Sequence, residues 1–523
     1  MNFNKKLAVA VSGAVLLMAG QFALADSTTD IVDALVMKGV LTEEEGKLIS
    51  KGHTSKTNVA PVVKEKDGAF ILESANERNS IQLTGRMHLD YRASNLDGTD
   101  LGGGRSDDRD TASMADQFEL RRARLGVKGK FAKDFKYEVV GNLPGTATLD
   151  VAYVDFAKYD GFQIRAGKFK QPFGLEELIS SNNITMMERT YLDQTVPGKK
   201  IGLQVMGSPA KGFTYAGSLF QNNDVERDIT SDGYASGAGR VTYNFAEAMG
   251  DKESVLHLGL SGLNSTYGAS ASSSSQTDLA VSGTMRASIS SFRSAGRGLA
   301  NIFRGQVQGV PCVTSTYSCP SEVGATVEQR AAGLEGIFAR GPFKVMGEYS
   351  KGQYEGSIEV ASRNKVQYDT TTYYLEAGYF LTGEKYADSY KNGVFGGFKP
   401  KNEFNLDKGD LGAIELAFRA EGYQVDGGDI TGAGRFQGNL ASYTTASNGS
   451  TSSEYGSTGS APKSTATTYT AGIRWILNPN VVVKANLAHT KLGYNYTPID
   501  INSANGANIN SETLFMTRMQ YMF

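Results

Sequence analysis

Glu512-Thr-Leu-Phe-Met-Thr-Arg-Met-Gln-Tyr-Met-Phe523 is the last stretch of the sequence and the most telling. Counting back from Phe523, Tyr521, Met519, Thr517 and Phe515 share one parity. Glu512, Arg518 and Gln520 share the other, with Leu514 and two methionines. Side chains alternate between faces along a strand, so this segment offers one face to lipid and one to water. An aromatic final residue with a second aromatic two positions earlier reads as the closing strand of a bacterial outer-membrane barrel. The terminal strand of a soluble β protein is the alternative.

The other end agrees. Asn4-Lys5-Lys6 is a short basic start, Leu7 to Leu24 is mostly apolar, and Ala23-Leu24-Ala25 is a small-residue cleavage site. Residues 1–25 therefore read as a secretory signal peptide. No later stretch has the eighteen or more apolar residues of a spanning helix. The chain has 523 residues and a formal net charge of −2, so bulk charge names no partner and gives no sign of nucleic-acid binding. Cys312 and Cys319 lie in a Gly/Ser/Pro-rich stretch, where export favours a local disulfide. The four histidines, His53, His88, His257 and His489, are too scattered to suggest a metal site, and no cofactor is implied.

Residues 26–55 read as a small periplasmic helical hairpin. Ile31 to Val36 carries an apolar face that Lys38-Gly39 ends, and Thr42-Glu43-Glu44-Glu45 is a capping box opening a second helix. Residues 56–79 read as a polar linker. From there to the end, strand-length segments recur: 81–94, 117–130, 135–142, 148–159, 162–170, 199–207, 213–222, 236–246, 254–264, 326–340, 342–352, 370–383, 410–423, 466–477, 481–490 and 512–523. Tight connections such as Ala132-Lys133-Asp134 and Asn478-Pro479-Asn480 alternate with long Gly/Ser-rich ones. The fold expected is an all-β, sixteen-stranded antiparallel transmembrane barrel over residues 80–523. The long connection 384–409 falls on the short-turn side and breaks the pattern.

Parity then sorts the lumen. Ile81, Leu83, Met87, Leu89 and Tyr91 face lipid, while Arg86, His88, Asp90 and Arg92 face inward. The same reading turns inward Arg122, Arg124, Lys128, Lys136, Lys200, Arg240, Lys344, Arg419, Arg474, Lys484 and Arg518. Inward acids are Asp90, Glu138, Glu348, Glu415 and Glu421, so bases outnumber acids by about thirteen to five. Arg and Lys rows in a narrow low-dielectric pore concentrate anions, and arginine donors can pass an oxyanion along. The alternative is that these charges solvate a wide lumen and pair with one another. Segments 148–159 and 162–170 have apolar residues on both parities, as at a subunit interface.

Four ordered stretches carry a resemblance: Phe118-Glu-Leu-Arg-Arg-Ala-Arg-Leu-Gly-Val-Lys-Gly, Ala152-Tyr-Val-Asp, Arg165-Ala-Gly-Lys-Phe-Lys-Gln-Pro-Phe-Gly-Leu-Glu-Glu and Ser180-Ser-Asn-Asn-Ile-Thr-Met-Met-Glu-Arg. With Tyr379-Phe-Leu-Thr-Gly-Glu, they resemble the phosphate-selective porin O and P family over most of residues 80–523. The resemblance implies a homotrimer in the outer membrane, in contact with its lipid and lipopolysaccharide, with the third long loop folded into each pore. It implies a constriction of lysine, arginine, serine and aspartate that takes small anions such as phosphate. Arg121 and Arg122 match its paired arginines, Asp150 its wall aspartate, and Ser180 and Ser181 its serines. A lysine is implied just before the serines, where this sequence has Glu176-Glu177-Leu178-Ile179. An acid there should weaken phosphate specificity, with Lys168, Lys170, Lys199 and Lys200 as nearby compensation. Parity puts Arg121 on the lipid or interface face, in conflict with the family motif, which a bulge or a rim position would reconcile.

The function expected is a passive outer-membrane porin, anion-preferring, with phosphate as a candidate solute. A general, weakly selective porin is the alternative. A barrel enzyme would need a nucleophile beside a base, and no Ser/His/Asp set stands out. A barrel sheath for an electron carrier stays open, although the chain lacks Cys-x-x-Cys-His.

Overall fold

The computed structural model describes residues 61–66, 69–96, 116–145, 147–222, 234–270, 286–299, 302–308, 324–358, 365–431, 434–438, 459–461, 463–496 and 509–523, with scattered positions between 32 and 48. Sixteen long strands build the wall. They are β1 (Ser80–Ser94), β2 (Gln117–Phe131), β3 (Phe135–Asn142), β4 (Thr148–Tyr159), β5 (Phe162–Lys170), β6 (Lys199–Ala210), β7 (Phe213–Gln221) and β8 (Ala235–Asn244). After them come β9 (Ser254–Ser270), β10 (Gly324–Arg340), β11 (Phe343–Ile358), β12 (Lys365–Phe380), β13 (Ala413–Thr431), β14 (Ser464–Ile476), β15 (Val481–Tyr496) and β16 (Ile509–Met522). Each expected strand is present. Several run further than the alternation showed, notably β9, β11, β13 and β15.

Consecutive strands pair, and β16 returns to β1, with Leu514 opposite Ser94 and Met522 opposite Arg86. Closure satisfies backbone groups that lipid cannot hydrogen-bond. The last residue takes part: Gly85 and Phe523 exchange backbone hydrogen bonds at 3.0 and 3.2 Å. A Cβ at Gly85 would lie 2.5 Å from the Phe523 ring, so only glycine leaves that ring its place. Leu256, Leu258 and Leu260 on β9, Leu334 and Phe338 on β10, and Tyr373 and Leu375 on β12 are exposed on the outer face, as a lipid-facing belt requires.

Long connections enter the interior. Residues 286–292 and 303–308 pair as strands, with 434–438 added to the second. Phe292, Leu299, Ile302 and Phe303 pack with Tyr354, Tyr368, Tyr423 and Leu492 of the wall in one apolar cluster. The long connection 384–409 has a physical account. Tyr386 and Phe395 pack with Val255, Ile337, Phe380 and Val482 of the wall and with Leu175, Ile179 and Ile184 of the loop after β5. Strand β4 has no single register because it is irregular on both sides, whereas β5 pairs with β6 in an unbroken register. The pairing shifts between Val140 and Gly141 on β3, and again between Phe156 and Tyr159 on β4.

The described residues before the barrel belong to a separate compact unit together with a few residues around 70–82 and 129–133. Leu35–Met37 are helical, with Val40 N donating to Leu35 O at 3.0 Å and Gly39 in the left-handed region at φ 69°. The capping box is formed: Glu45 N donates to Thr42 Oγ1 at 3.2 Å, and Thr42 N donates to Glu45 Oε2 at 2.9 Å. That backbone bond holds the Glu45 carboxyl below its usual range. Within 56–79, read as linker, Val62–Lys66 and Ala69–Glu73 form paired strands, and Glu73 takes ion pairs from Lys64 and Lys130. Cys312, Cys319 and residues 1–25 lie outside the described residues.

Candidate solute pathway

The loop 171–198 between β5 and β6 is bonded to interior side chains all around the wall. Arg86 of β1 donates to Ser181 Oγ at 3.0 Å and to Ser180 Oγ at 3.4 Å. His88 meets Asn182 at 3.2 Å. On the opposite wall, Leu175 N and Glu176 N donate to the Glu348 carboxylate at 2.6 and 2.7 Å, and Tyr191 N donates to Glu421 at 2.9 Å.

Arg121 and Arg122 both reach the interior. Arg121 Nε lies 3.0 Å from Glu188 Oε1, and Arg122 Nη1 lies 3.5 Å from His88 Nδ1. Strict alternation would not allow two consecutive inward residues, so it breaks here. Glu119 and Arg121 point inward on one side of the break and Arg122 and Arg124 on the other, with Leu120 and Leu125 exposed, which corrects the outward placement of Arg121. Between β2 and the loop sits a cluster of ion pairs. Arg124 Nη1 is 2.8 Å from Asp150 Oδ2, and Lys199 Nζ is 2.5 Å from Asp150 Oδ1. Lys170 Nζ donates to the Ile179 carbonyl at 3.0 Å and to the Glu177 carbonyl, and lies 3.8 Å from Glu177 Oε1. Arg189 Nε is 3.5 Å from both Glu177 Oε2 and Asp193 Oδ1. Burial would raise the Glu177 carboxyl, but Lys170 and Arg189 outweigh it and hold this loop acid below the usual carboxylate range. Arg86 and Arg122 make no ion pair among the described residues.

Lys168 does not join this cluster: its cross-strand partners are Ala152 and the exposed Ile201, which puts it on the outer face. Lys200 takes the other face, opposite buried Phe169. Lys136 is opposite Asp155 and remains exposed. Asp155 in turn holds Arg165 through bonds at 2.7 and 2.8 Å.

Most of the other cations expected to line the pore are buried and bonded. Arg92 pairs with Asp90 and Glu188, Arg240 with Glu335, and Lys344 with Glu376. Arg419 pairs with Glu176 and Glu421, Arg474 with Glu415, and Arg518 with Asp90 and Glu188. Lys484 is wholly buried against loop carbonyls. Arg240, Arg419, Arg474, Lys484 and Arg518 therefore do not form an open anion row. The apparent basic excess counted too few acids. Glu335 and Glu376 were legible, because Leu334, Phe338, Leu375 and Tyr379 point outward and put those two glutamates inward. Glu176 and Glu188 were not, since only the folded loop brings them to the wall.

Burial divides the interior in two. Thr370, Thr468, Lys484 and Gln520, inward on β12 to β16, are at most 2% exposed. Inward residues on β2 and β3, such as Arg124, Lys128, Lys136 and Glu138, keep access to solvent.

The family model for phosphate-selective porin O and P matches residues 81–310 and 311–523, so it accounts for the whole wall. The chain belongs to that family. A curated relative, Porin O of Pseudomonas aeruginosa, is 25% identical over 481 residues, covering 90% of this chain and 94% of that protein. Among solved structures, OmpT of Vibrio cholerae is 10% identical, with a TM-score of 0.46 over 85% of this chain and 98% of that one. An anion-selective porin from Comamonas acidovorans is 12% identical, with a TM-score of 0.43 over 85% of this chain and all of that one. This porin is an integral outer-membrane protein and a passive channel rather than an enzyme.

Proposed function

We propose that this porin prefers small anions, phosphate among them, and that solutes pass between the inner face of β2 to β6 and the inward-folded loop 171–198. The observation that carries this reading is the state of Arg86 and Arg122. Neither guanidinium makes an ion pair among the described residues; Ser180 and Ser181 of the loop stand beside Arg86, and His88 beside Arg122. Guanidinium forks and hydroxyls suit oxyanions. Around them Arg124, Lys170, Arg189 and Lys199 face Asp150, Glu177 and Asp193, leaving positive charge in excess.

The lysine missing at position 177 has a substitute in this reading. Lys170 and Lys199 come from the ends of β5 and β6, and Lys170 neutralises Glu177 in place. The second reading, a general and weakly selective porin, draws on the same two acids, since Asp150 and Glu177 lower the field an entering anion feels. Reversal potentials in a KCl gradient across a planar bilayer distinguish the two. Chloride over potassium, with saturable block by phosphate, supports the first reading. Equal permeability and no block support the second.

The channel is proposed to work as a homotrimer set in lipid and lipopolysaccharide, as the family's pattern implies. Native electrophoresis in mild detergent before heating tests this, and a monomer would count against it.

A further inference from the structure

Segment 182–188 of the loop has no helix or strand to satisfy its carbonyls, and none of them accepts a backbone N–H among the described residues. The wall supplies the donors. Gln520 donates to Asn182 O at 3.0 Å, Arg474 to Asn183 O at 2.9 Å and Lys484 to Ile184 O at 2.6 Å. Arg518 donates to Met187 O at 2.5 Å and Arg419 to Glu188 O at 3.0 Å. Met187 N closes the set by donating to Asn486 Oδ1 at 2.7 Å.

Three of these donors lie in one row of the wall. Arg474 is the cross-strand partner of Lys484, and Lys484 of Arg518. Direct partners on one face stand about 5 Å apart, so three like charges in succession are costly. Acids relieve only the ends: Glu415 lies 2.5 Å from Arg474, and Asp90 lies 2.6 Å from Arg518. Lys484, in the middle, makes no ion pair among the described residues. Its charge is met by the carbonyl dipoles of Ile184 and Met186. The loop needs the row to satisfy its backbone, and the row needs the loop to relieve its charge.

We infer that Arg474, Lys484 and Arg518 form a clamp that fixes loop 171–198, and so sets the width of the passage, instead of forming part of the ion path. Lys484 is the positioning residue at its centre. This rests on the loop bounding the passage and not on the anion preference.

The test is single-channel recording of the full-length protein with Lys484→Met. Loosening the loop should raise unitary conductance about twofold, add open-channel noise and weaken any phosphate block about fivefold. Lys484→Arg should restore a quiet current. A second variant loosens the same stretch without changing charge: Asn486→Ala removes the acceptor of Met187 N and should also add open-channel noise, with the chloride-to-potassium permeability ratio unchanged. A quiet Lys484→Met channel with lowered anion permeability, or a quiet Asn486→Ala channel, would overturn the clamp. If Lys484→Met fails to assemble, Asn486→Ala decides alone. Conductance and noise read the clamp even in a channel that shows no anion preference.

Discussion

Lys484 and Arg518 stand directly opposite each other on β15 and β16, both buried, and both spend their donors on the same loop, at Ile184 and Met187. A cation that faces inward is therefore not a cation that faces solute. Those on β13 to β16 hold the loop, while Arg86, Arg124 and Lys136 on β1 to β3 and Lys170 and Lys199 at the ends of β5 and β6 keep access to solvent.

Arg86 is the sharpest candidate on the open side, because its hydrogen-bond partners are the Ser180 and Ser181 hydroxyls and it makes no ion pair among the described residues. Arg86→Gln should lower the chloride-to-potassium permeability ratio about fivefold, the effect of losing about 1 kcal/mol of Coulomb attraction at contact. Reversal potentials check this. An unchanged ratio would remove Arg86 from the path.

Glu177→Gln should strengthen phosphate block about fivefold on the same reasoning, since it deletes an acid while Lys170 keeps its bonds to the Glu177 and Ile179 carbonyls. A carboxyl held below the usual range stays charged as pH falls, and its contribution is lost only when pH drops through its lowered pKa. The difference between variant and parent should therefore persist below the ordinary carboxylate range, to about pH 3.5. A difference lost between about pH 5 and pH 4 would mean that Glu177 titrates normally and lacks its two cationic partners.

His257 tests the sealed side. It bridges Tyr390 at 2.7 Å and Glu335 at 2.8 Å, fastening the 384–409 connection to β9 and β10. His257→Ala leaves both partners short of a bond in a buried place and should cost about 1–3 kcal/mol of stability. Thermal unfolding in detergent should show the loss, with ion selectivity unchanged. A shift in selectivity would bring this region into the path.

The wall was legible because lipid and water impose opposite demands on alternate residues, and the tight turns fall between the segments. Its outer ends were less so. Beyond the apolar belt, β11 turns Lys351, Gln353 and Glu355 outward, and the contrast between faces disappears. The direction of most inward cations was legible for the same reason. Their accessibility was not, because it depends on residues 171–198, 286–308 and 384–409 folding inward, and such contacts leave no local periodicity. Arg121 shows the limit within a strand, since a single break in alternation reverses the face of every residue beyond it.

The most direct measurement of the pathway is thiol accessibility in a Cys312→Ser, Cys319→Ser background. Lys136→Cys on β3 and Thr468→Cys on β14 should each be exposed to a charged, membrane-impermeant thiol reagent during single-channel recording. The account predicts stepwise reduction of current at Lys136→Cys and none at Thr468→Cys. Current reduced at Thr468→Cys and steady at Lys136→Cys would place the solute path on the opposite wall and contradict it.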